Sequence, residues 1–162
     1  MEKEFVDLIN CYRGILHKIC NIYFYRSPYI EDYYQEILIR LWKSYSTFKN
    51  QSAVSTWIYR VALNTAIDIV RMQRIRPKLI ELSKSEYNIS AMEPNLESDR
   101  RDQLYRAINT LSDAEKAIII LYLEDYGYKE IAEIMGISES NTGVKINRIK
   151  LQLIKILGNG QQ

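Results

Sequence analysis

The residues best suited to chemistry form a row of polar side chains on one predicted helix. Arg60, Asn64, Asp68 and Arg71 are spaced four, four and three residues apart, which places them on a single helix face. Guanidinium and carboxamide groups in a row can hold the phosphates and bases of a nucleic-acid strand. A solvated helix face has a similar spacing, although it usually includes more Glu. The row therefore favours nucleic-acid binding.

Aromatic residues border the polar loop STFKNQSAVS, which precedes this helix. They are Tyr45, Phe48 and Trp57. Aromatic rings in a basic, polar setting can stack on unpaired bases, which makes the loop a candidate site for single-stranded DNA. The alternative is that the three rings belong to the hydrophobic core, and for Trp57 this alternative is favoured.

A second candidate site lies near the end of the chain. Residues 128–135 predict a short amphipathic helix with the small Ala132 facing inward, Gly136 suits a sharp turn, and Ser138 can cap the next helix. This pattern is typical of a helix-turn-helix. A helical hairpin with a charged, solvated face is the alternative.

The first turns of the second helix, SESNTGVK, are polar where a recognition helix enters the major groove. Asn141 could pair with adenine, and Lys145 with guanine or phosphate. Residues 139–155 carry four basic side chains and one acidic side chain, although the whole chain has a net charge of only +2. The positive charge is therefore concentrated at the candidate site.

The elements that position these residues are predicted to be helices. Gly and Pro are scarce, at 6 and 3 of 162 residues, and apolar residues recur at helical spacing in 4–24, 34–45 and 57–74. Ser55 or Thr56 is the expected cap of the third helix. Ser112 with Glu115 predicts a capping box for a later helix, which Gly127 is expected to end.

Residues 77–97 show no such period and are net acidic. The sequence therefore predicts an all-α protein with two small helical domains, 1–76 and 98–162, joined by a flexible linker at 77–97. The second domain contains the helix-turn-helix.

Several functional classes find no support in the composition. Two cysteines and one histidine give neither a disulfide framework nor a metal site, and no glycine-rich phosphate loop follows a strand. The longest apolar run, AIIILYL, is too short to cross a bilayer. We therefore expect a cytoplasmic protein that is not an enzyme, binds no cofactor or metal and does not enter a membrane.

Taken together, the two blocks resemble a bacterial RNA polymerase sigma factor of the extracytoplasmic-function (ECF) class. The first block, DYYQEILIRLWKSYSTFKNQSAVSTWIYRVALNTAIDIVR, carries the family's Asp-x-x-Gln-Glu and Trp-x-Tyr-Arg-x-Ala motifs. The second, LSDAEKAIIILYLEDYGYKEIAEIMGIS, resembles the domain that binds the upstream promoter element. The resemblance covers most of residues 5–76 and 98–157. It departs from the usual pattern at Thr142, where an apolar residue is common, and at Gly143, where Lys or Arg is common.

The resemblance implies a factor that directs core RNA polymerase to promoters and assists promoter melting. The residues implied for polymerase docking are Asp32, Gln35, Glu36 and Leu41. Those implied for the minus-ten strand are Tyr45, Phe48, Lys49, Asn50, Trp57, Arg60, Asn64, Asp68 and Arg71. Those implied for the minus-thirty-five element are Tyr128, Lys129, Ser138, Ser140, Asn141, Val144, Lys145 and Arg148.

The implied partners are core RNA polymerase, promoter DNA and an anti-sigma factor, with no homo-oligomer. The residues alone leave other interpretations open. A homodimeric regulator with a helix-turn-helix would bind a palindromic site. A plain protein-interaction module would carry the basic rows incidentally, and a helical enzyme has no residues to support it.

Overall fold

The computed structural model describes residues 1–49, 51–75 and 96–159, and within these ranges the chain forms seven α-helices and no strand. They are α1 (Glu2–Tyr23), α2 (Ile30–Tyr45), α3 (Val54–Ile75), α4 (Leu96–Asn109), α5 (Asp113–Leu123), α6 (Tyr128–Met135) and α7 (Glu139–Asn159). The predicted all-α fold is confirmed. Asn50 and nearly all of the predicted linker lie outside the described residues.

Helices α1, α2 and α3 pack together and form the first bundle. The apolar stripe predicted for α3 faces its core, since Ile58, Ala62 and Ile69 are buried. Ile37 and Leu41 of α2 meet this stripe and are fully buried. Burial of one large aliphatic side chain contributes about 1.5–3 kcal/mol, so the stripe fixes how α3 is rotated and which of its residues face outward.

Helices α4 to α7 form the second bundle, which contains the predicted helix-turn-helix. Helix α6 ends at Met135 and is capped by Gly136, whose φ of 68° lies in the left-handed region. The N–H groups of Gly136 and Ile137 both donate to the carbonyl of Ala132, which closes the turn before α7. Ala132 is buried, as its inward position predicts.

Two predicted helix boundaries are wrong and one is confirmed. Helix α3 begins at Val54, so Ser55 and Thr56 lie in its first turn and neither is the cap. Helix α5 ends at Leu123, because Asp125 takes the left-handed conformation (φ 61°) expected of Gly127, and Asp is among the few residues that tolerate it. Gly127 instead caps the start of α6. The capping box of Ser112 and Glu115 is present as predicted.

The two bundles are also in contact with each other, which the sequence did not predict. The ring of Tyr59 in α3 meets that of Tyr126 edge to face, with centroids 5.4 Å apart. The Tyr23 hydroxyl of α1 donates to the carbonyl of Asp113, at 2.6 Å. The first bundle therefore carries a second contact surface besides its own core.

The left-handed turn at Gly136 gives a testable prediction for stability. Gly136→Ala should lower the free energy of unfolding by about 1–2 kcal/mol, because an L-residue is strained at this φ. Gly14→Ala in α1 is the matched control, since an added Cβ there meets no atom within 4 Å. The control should raise stability by about 0.5–1 kcal/mol. Urea unfolding followed by circular dichroism compares them, and a Gly136→Ala protein as stable as wild type would contradict the assigned turn.

Candidate nucleic-acid and protein-binding surfaces

The first turns of α7 present the polar residues predicted for the major groove. Ser138 precedes the helix, and its Oγ accepts a hydrogen bond from the Asn141 N–H at 3.2 Å, so its predicted role as cap is confirmed. Asn141, Val144 and Arg148 follow at three- and four-residue spacing, and all are exposed. Ser140 is also exposed, and Lys145 is half-buried. These side chains form a continuous outward surface at the start of α7.

Thr142 points the other way, into the core of the second bundle. It is fully buried, and its Oγ1 donates to the carbonyl of Ser138 at 3.0 Å. The threonine therefore occupies the position where the family commonly has an apolar residue, with its hydroxyl satisfied by the backbone. The departure at Thr142 is compatible with the fold for this reason.

The start of α6 lies beside α7. Tyr128 and Lys129 are both exposed in the first turn of α6. A Cβ added to Gly143 would lie 3.5 Å from the Tyr128 ring, so that ring takes up the space beside the glycine. The missing side chain at Gly143 therefore brings an aromatic ring against the recognition helix.

An acidic group limits the positive charge of this surface. The Glu115 carboxylate accepts hydrogen bonds from the Ser112 N–H and hydroxyl, at 2.9 and 2.8 Å. These bonds, together with the nearby charges of Lys145 and Arg148, hold the pKa of Glu115 below its usual range. Glu115 is thus an ionised neighbour of the two cations and links α5 to α7 electrostatically.

The predicted row on α3 lies on the outer face of the first bundle. Arg60, Asn64, Asp68 and Arg71 are all exposed. Asn64 and Asp68 line an open cleft of about 440 Å³ between α2 and α3. Arg60 instead reaches the second bundle, where its Nη2 donates to the Glu133 carbonyl at 3.3 Å.

The cleft also contains residues that the sequence analysis missed. Helix α2 and the turn after it contribute Arg40, Lys43, Ser44 and Thr47, and α3 adds Val61 and Thr65. The spacing of positions 40, 44 and 47 is helical and could have indicated a second polar face. The apolar stripe of α2 gives a stronger pattern, and the sequence analysis followed that pattern instead. The cleft places two cations opposite an amide and a carboxylate.

The three aromatic residues of the loop are mostly engaged with one another. Trp57 is 8% exposed, and the Phe48 ring stacks on it with centroids 4.8 Å apart. Tyr45 and Phe48 are half-buried, and Tyr45 also packs on Phe5. Trp57 therefore belongs to the core, as the alternative favoured, and supports the loop from beneath. Lys49 is exposed near the middle of the loop between α2 and α3.

The residues predicted for docking do not all share one surface. Asp32, Gln35 and Glu36 are exposed on α2, but Leu41 is fully buried in the core of the first bundle. Leu41 is therefore a core residue and not part of a docking surface. Ile39, which is 51% exposed at helical spacing from Gln35 and Glu36, adds an apolar group to the acidic face instead.

The described residues contain no group of three or more His, Cys, Asp and Glu side chains placed to hold a metal ion. No helix in the same ranges is long and apolar enough to span a membrane. Burial raises the pKa of the Cys20 thiol to about 12, so this cysteine stays protonated.

These surfaces and the fold define a two-bundle, all-helical DNA-binding protein with a helix-turn-helix. Residues 8–75 match the family Sigma-70 region 2, and residues 101–153 match Sigma-70, region 4. The chain is similar to the ECF RNA polymerase sigma factor SigX of Bacillus subtilis, with 26% identity over 169 residues, 96% of this chain and 87% of the relative. It is 30% identical over 133 residues to the ECF RNA polymerase sigma-E factor of Escherichia coli, covering 74% of this chain and 70% of that one.

Among solved structures, the fold is similar to that of the sigma factor RpoE in its co-crystal with the anti-sigma factor NepR from Bartonella quintana. The TM-score is 0.73 at 18% identity, and the match covers 96% of this chain and 98% of that chain. The chain belongs to the sigma-70 family of RNA polymerase sigma factors, in the ECF group. It is a sigma factor that directs RNA polymerase to promoters for transcription initiation.

Two substitutions of Thr142 in α7 test how much its methyl group and its hydroxyl each contribute to stability. Thr142→Val should change the free energy of unfolding by less than about 1 kcal/mol, because the Ser138 carbonyl still accepts from the backbone N–H of residue 142, at 3.0 Å. Thr142→Ser removes a buried methyl and should cost about 1 kcal/mol. Urea unfolding compares the two, and a valine variant less stable than the serine variant would contradict this order.

Proposed function

We propose that the first bundle holds the melted minus-ten strand in the cleft between α2 and α3, while α7 reads the minus-thirty-five duplex. The observation that carries the proposal is the cleft itself, which has room for a nucleobase and sets Arg40 and Lys43 opposite Asn64 and Asp68. The cations suit the phosphates of a strand, and the amide and carboxylate suit the edge of an unstacked base. Arg71 lies further along the same helix and would hold the backbone.

In the loop that follows α2, only the exposed parts of the aromatic rings would contact the strand. Tyr45 and Phe48 are half-buried, so part of each ring is accessible to a base. Trp57 would act indirectly by keeping Phe48 in place, since their rings are stacked. We infer that Lys49 and the neighbouring Asn50 in the same loop contact the strand.

For the duplex, the outward surface of α7 provides both base and backbone contacts. Asn141 and Lys145 would read base edges, with Ser140 and Val144 beside them, and Arg148 would hold a phosphate. Tyr128 and Lys129 at the start of α6 would contact the flanking backbone, as the first helix of a helix-turn-helix does. Ser138 would position these groups by capping α7.

Core polymerase would dock on the acidic face of α2. Asp32, Gln35 and Glu36 lie on this face with the exposed Ile39. An apolar group surrounded by polar ones matches the arrangement of an interface core and its polar rim. Docking would hold both DNA-binding surfaces near the promoter, because one chain bound to polymerase carries them both. This raises their effective concentration at the DNA. The free chain would therefore bind promoter DNA poorly.

We further propose that the chain acts in the cytoplasm as a monomer, with no catalytic activity and no cofactor of its own. The structurally similar RpoE was crystallised with an anti-sigma factor. This likeness supports an anti-sigma factor as a further partner here. Such a partner would control access to the DNA-binding surfaces.

Run-off transcription with core RNA polymerase tests the proposed function, and Lys145→Glu tests the role of α7. We expect this charge reversal to lower promoter-specific transcripts about tenfold or more, because a groove contact becomes repulsive. Lys155→Glu is the matched control, since it makes the same change at an exposed site near the other end of α7. Polymerase binding should be unchanged in both. Wild-type transcript levels from the Lys145→Glu protein would exclude the assigned groove contact.

The docking face is tested by changing Asp32 and Glu36 together to Arg. Both side chains are exposed, so helical content should be retained while affinity for core polymerase falls about tenfold or more. The control is the same double change at Glu2 and Asp7, which are exposed acids of α1. Co-purification with core polymerase is the measurement. Undiminished recovery of polymerase with the Asp32 and Glu36 variant would remove α2 as the docking face.

A further inference from the structure

A tyrosine ring lies where one position of α7 has no side chain. The ring belongs to Tyr128, in the first turn of α6, and the position is Gly143. A Cβ built on Gly143 would be 3.5 and 3.6 Å from the ring atoms Cε2 and Cδ2. A Cβ alone therefore fits, whereas a longer side chain such as Lys or Arg would meet the ring. The glycine thus leaves room for the ring beside α7.

Gly143 lies at one edge of the outward surface formed by the first turns of α7. With 3.6 residues per turn, Ser140 is one turn before Gly143 and Asn147 is one turn after it. Both of these neighbours are exposed, whereas Thr142 faces the core. The Tyr128 ring therefore extends the outward surface sideways from α7, into the space that a side chain of residue 143 would occupy.

The Tyr128 ring is supported from within the second bundle. The Glu130 carboxylate accepts a hydrogen bond from the Gly127 N–H at 2.9 Å, which fixes the start of α6. The Tyr122 ring of α5 lies beside that of Tyr128, with centroids 6.5 Å apart, and its hydroxyl accepts from Lys150 Nζ at 3.4 Å. Even so, Tyr128 is 43% exposed. A supported ring with a free face loses little conformational entropy when it binds a partner.

An exposed aromatic ring at this edge suits one feature of the major groove. Thymine carries a methyl group on C5 there, and apolar side chains recognise thymine through this group. The ring of Tyr128 offers such an apolar face, while its hydroxyl can still contact a phosphate of the flanking backbone. Cytosine has no methyl group, so a ring at this place would distinguish the two pyrimidines.

We propose that Tyr128 is a specificity-determining residue: its ring contacts the 5-methyl group of one thymine in the minus-thirty-five element, in the space that Gly143 leaves open. This inference rests on the proposed function, because it requires α7 to enter the major groove of that element. It adds a base contact from α6 to those of α7. Burial of one methyl group changes affinity about fourfold, which sets the size of the expected effect.

A barcoded promoter library with a randomised minus-thirty-five element locates the thymine. Core polymerase is loaded with the wild type, Tyr128→Phe or Tyr128→Ala, and the transcripts are sequenced. We expect one position at which the wild type and Tyr128→Phe favour thymine over cytosine about fourfold. Tyr128→Ala should lose this preference, because only phenylalanine keeps the ring. Leu123→Ala is the control, since it removes another exposed apolar side chain from the second bundle and should leave the preference unchanged. If Tyr128→Ala loses no thymine preference of the wild type, the proposal is overturned.

Deoxyuridine tests the methyl group itself, because it differs from thymine only by the loss of this group. Its incorporation at the position found in the library should lower run-off transcription by the wild type about fourfold. With Tyr128→Ala the loss should be less than about twofold, since no ring remains to contact the methyl group. An equal loss with both proteins would assign the methyl contact to another residue, such as the exposed Val144, and would refute the role of Tyr128.

Two substitutions of Gly143 test the space beside the ring. Gly143→Ala should keep the thymine preference, because its Cβ stands at an ordinary contact distance from Tyr128. Gly143→Lys should lose it, because the longer side chain takes the place of the ring. Circular dichroism checks that both variants keep their helical content. An equal thymine preference in the two variants would overturn the role of Gly143.

The proposed function fails in a different way from this inference. If α7 does not enter the groove, Lys145→Glu transcribes like the wild type. If only the inference is wrong, Lys145→Glu still loses transcription while the thymine preferences of Tyr128→Ala match those of the wild type.

Discussion

The rotation of helix α3 about its own axis is the constraint on which the rest of the molecule depends. One face of the helix must pack in the core of the first bundle, while another face must line the cleft. Ile58, Ala62 and Ile69 are buried in the first bundle, and their positions turn Asn64 and Asp68 toward the cleft. Burial contributes about 1.5–3 kcal/mol for each large aliphatic residue, whereas an exposed ion pair contributes about 0–1 kcal/mol. The core therefore decides the orientation of α3, and the direction of its proposed DNA-binding face follows from it.

The same comparison explains why the contact between the bundles differs from the core of either one. Its three ion pairs are largely exposed, so each contributes about 0–1 kcal/mol, and each aromatic pair adds about 0.5–1.5 kcal/mol. Burial within this contact raises the pKa of the Tyr59 hydroxyl. The contact also includes apolar side chains, since the buried residues of both bundles belong to one hydrophobic cluster.

The sequence predicted what is encoded locally, which includes the helices, the caps at Ser112 and Ser138 and the turn at Gly136. It failed at one local turn and wherever packing against another helix decides. Asp125 takes the left-handed position that Gly127 was expected to fill, and Leu41 is buried because α3 covers it. The contribution of Arg40 to the cleft depends on how α2 packs against α3, which the sequence pattern does not show. The pairing of Arg74 with Asp113 joins residues 39 positions apart across the predicted linker, and no local pattern could indicate it.

The first turn of α5 connects the two proposed DNA-binding surfaces. Acidic residues are favoured there by the helix dipole, and this turn has two, Asp113 and Glu115. Asp113 pairs with Arg74 of the first bundle, whereas Glu115 lies near Lys145 and Arg148 of the recognition helix. Ser112 holds Glu115 through hydrogen bonds of its own, none of which involves Asp113. The two carboxylates of this turn therefore have different partners, since Asp113 pairs with an arginine of the first bundle and Glu115 lies near the cations of α7.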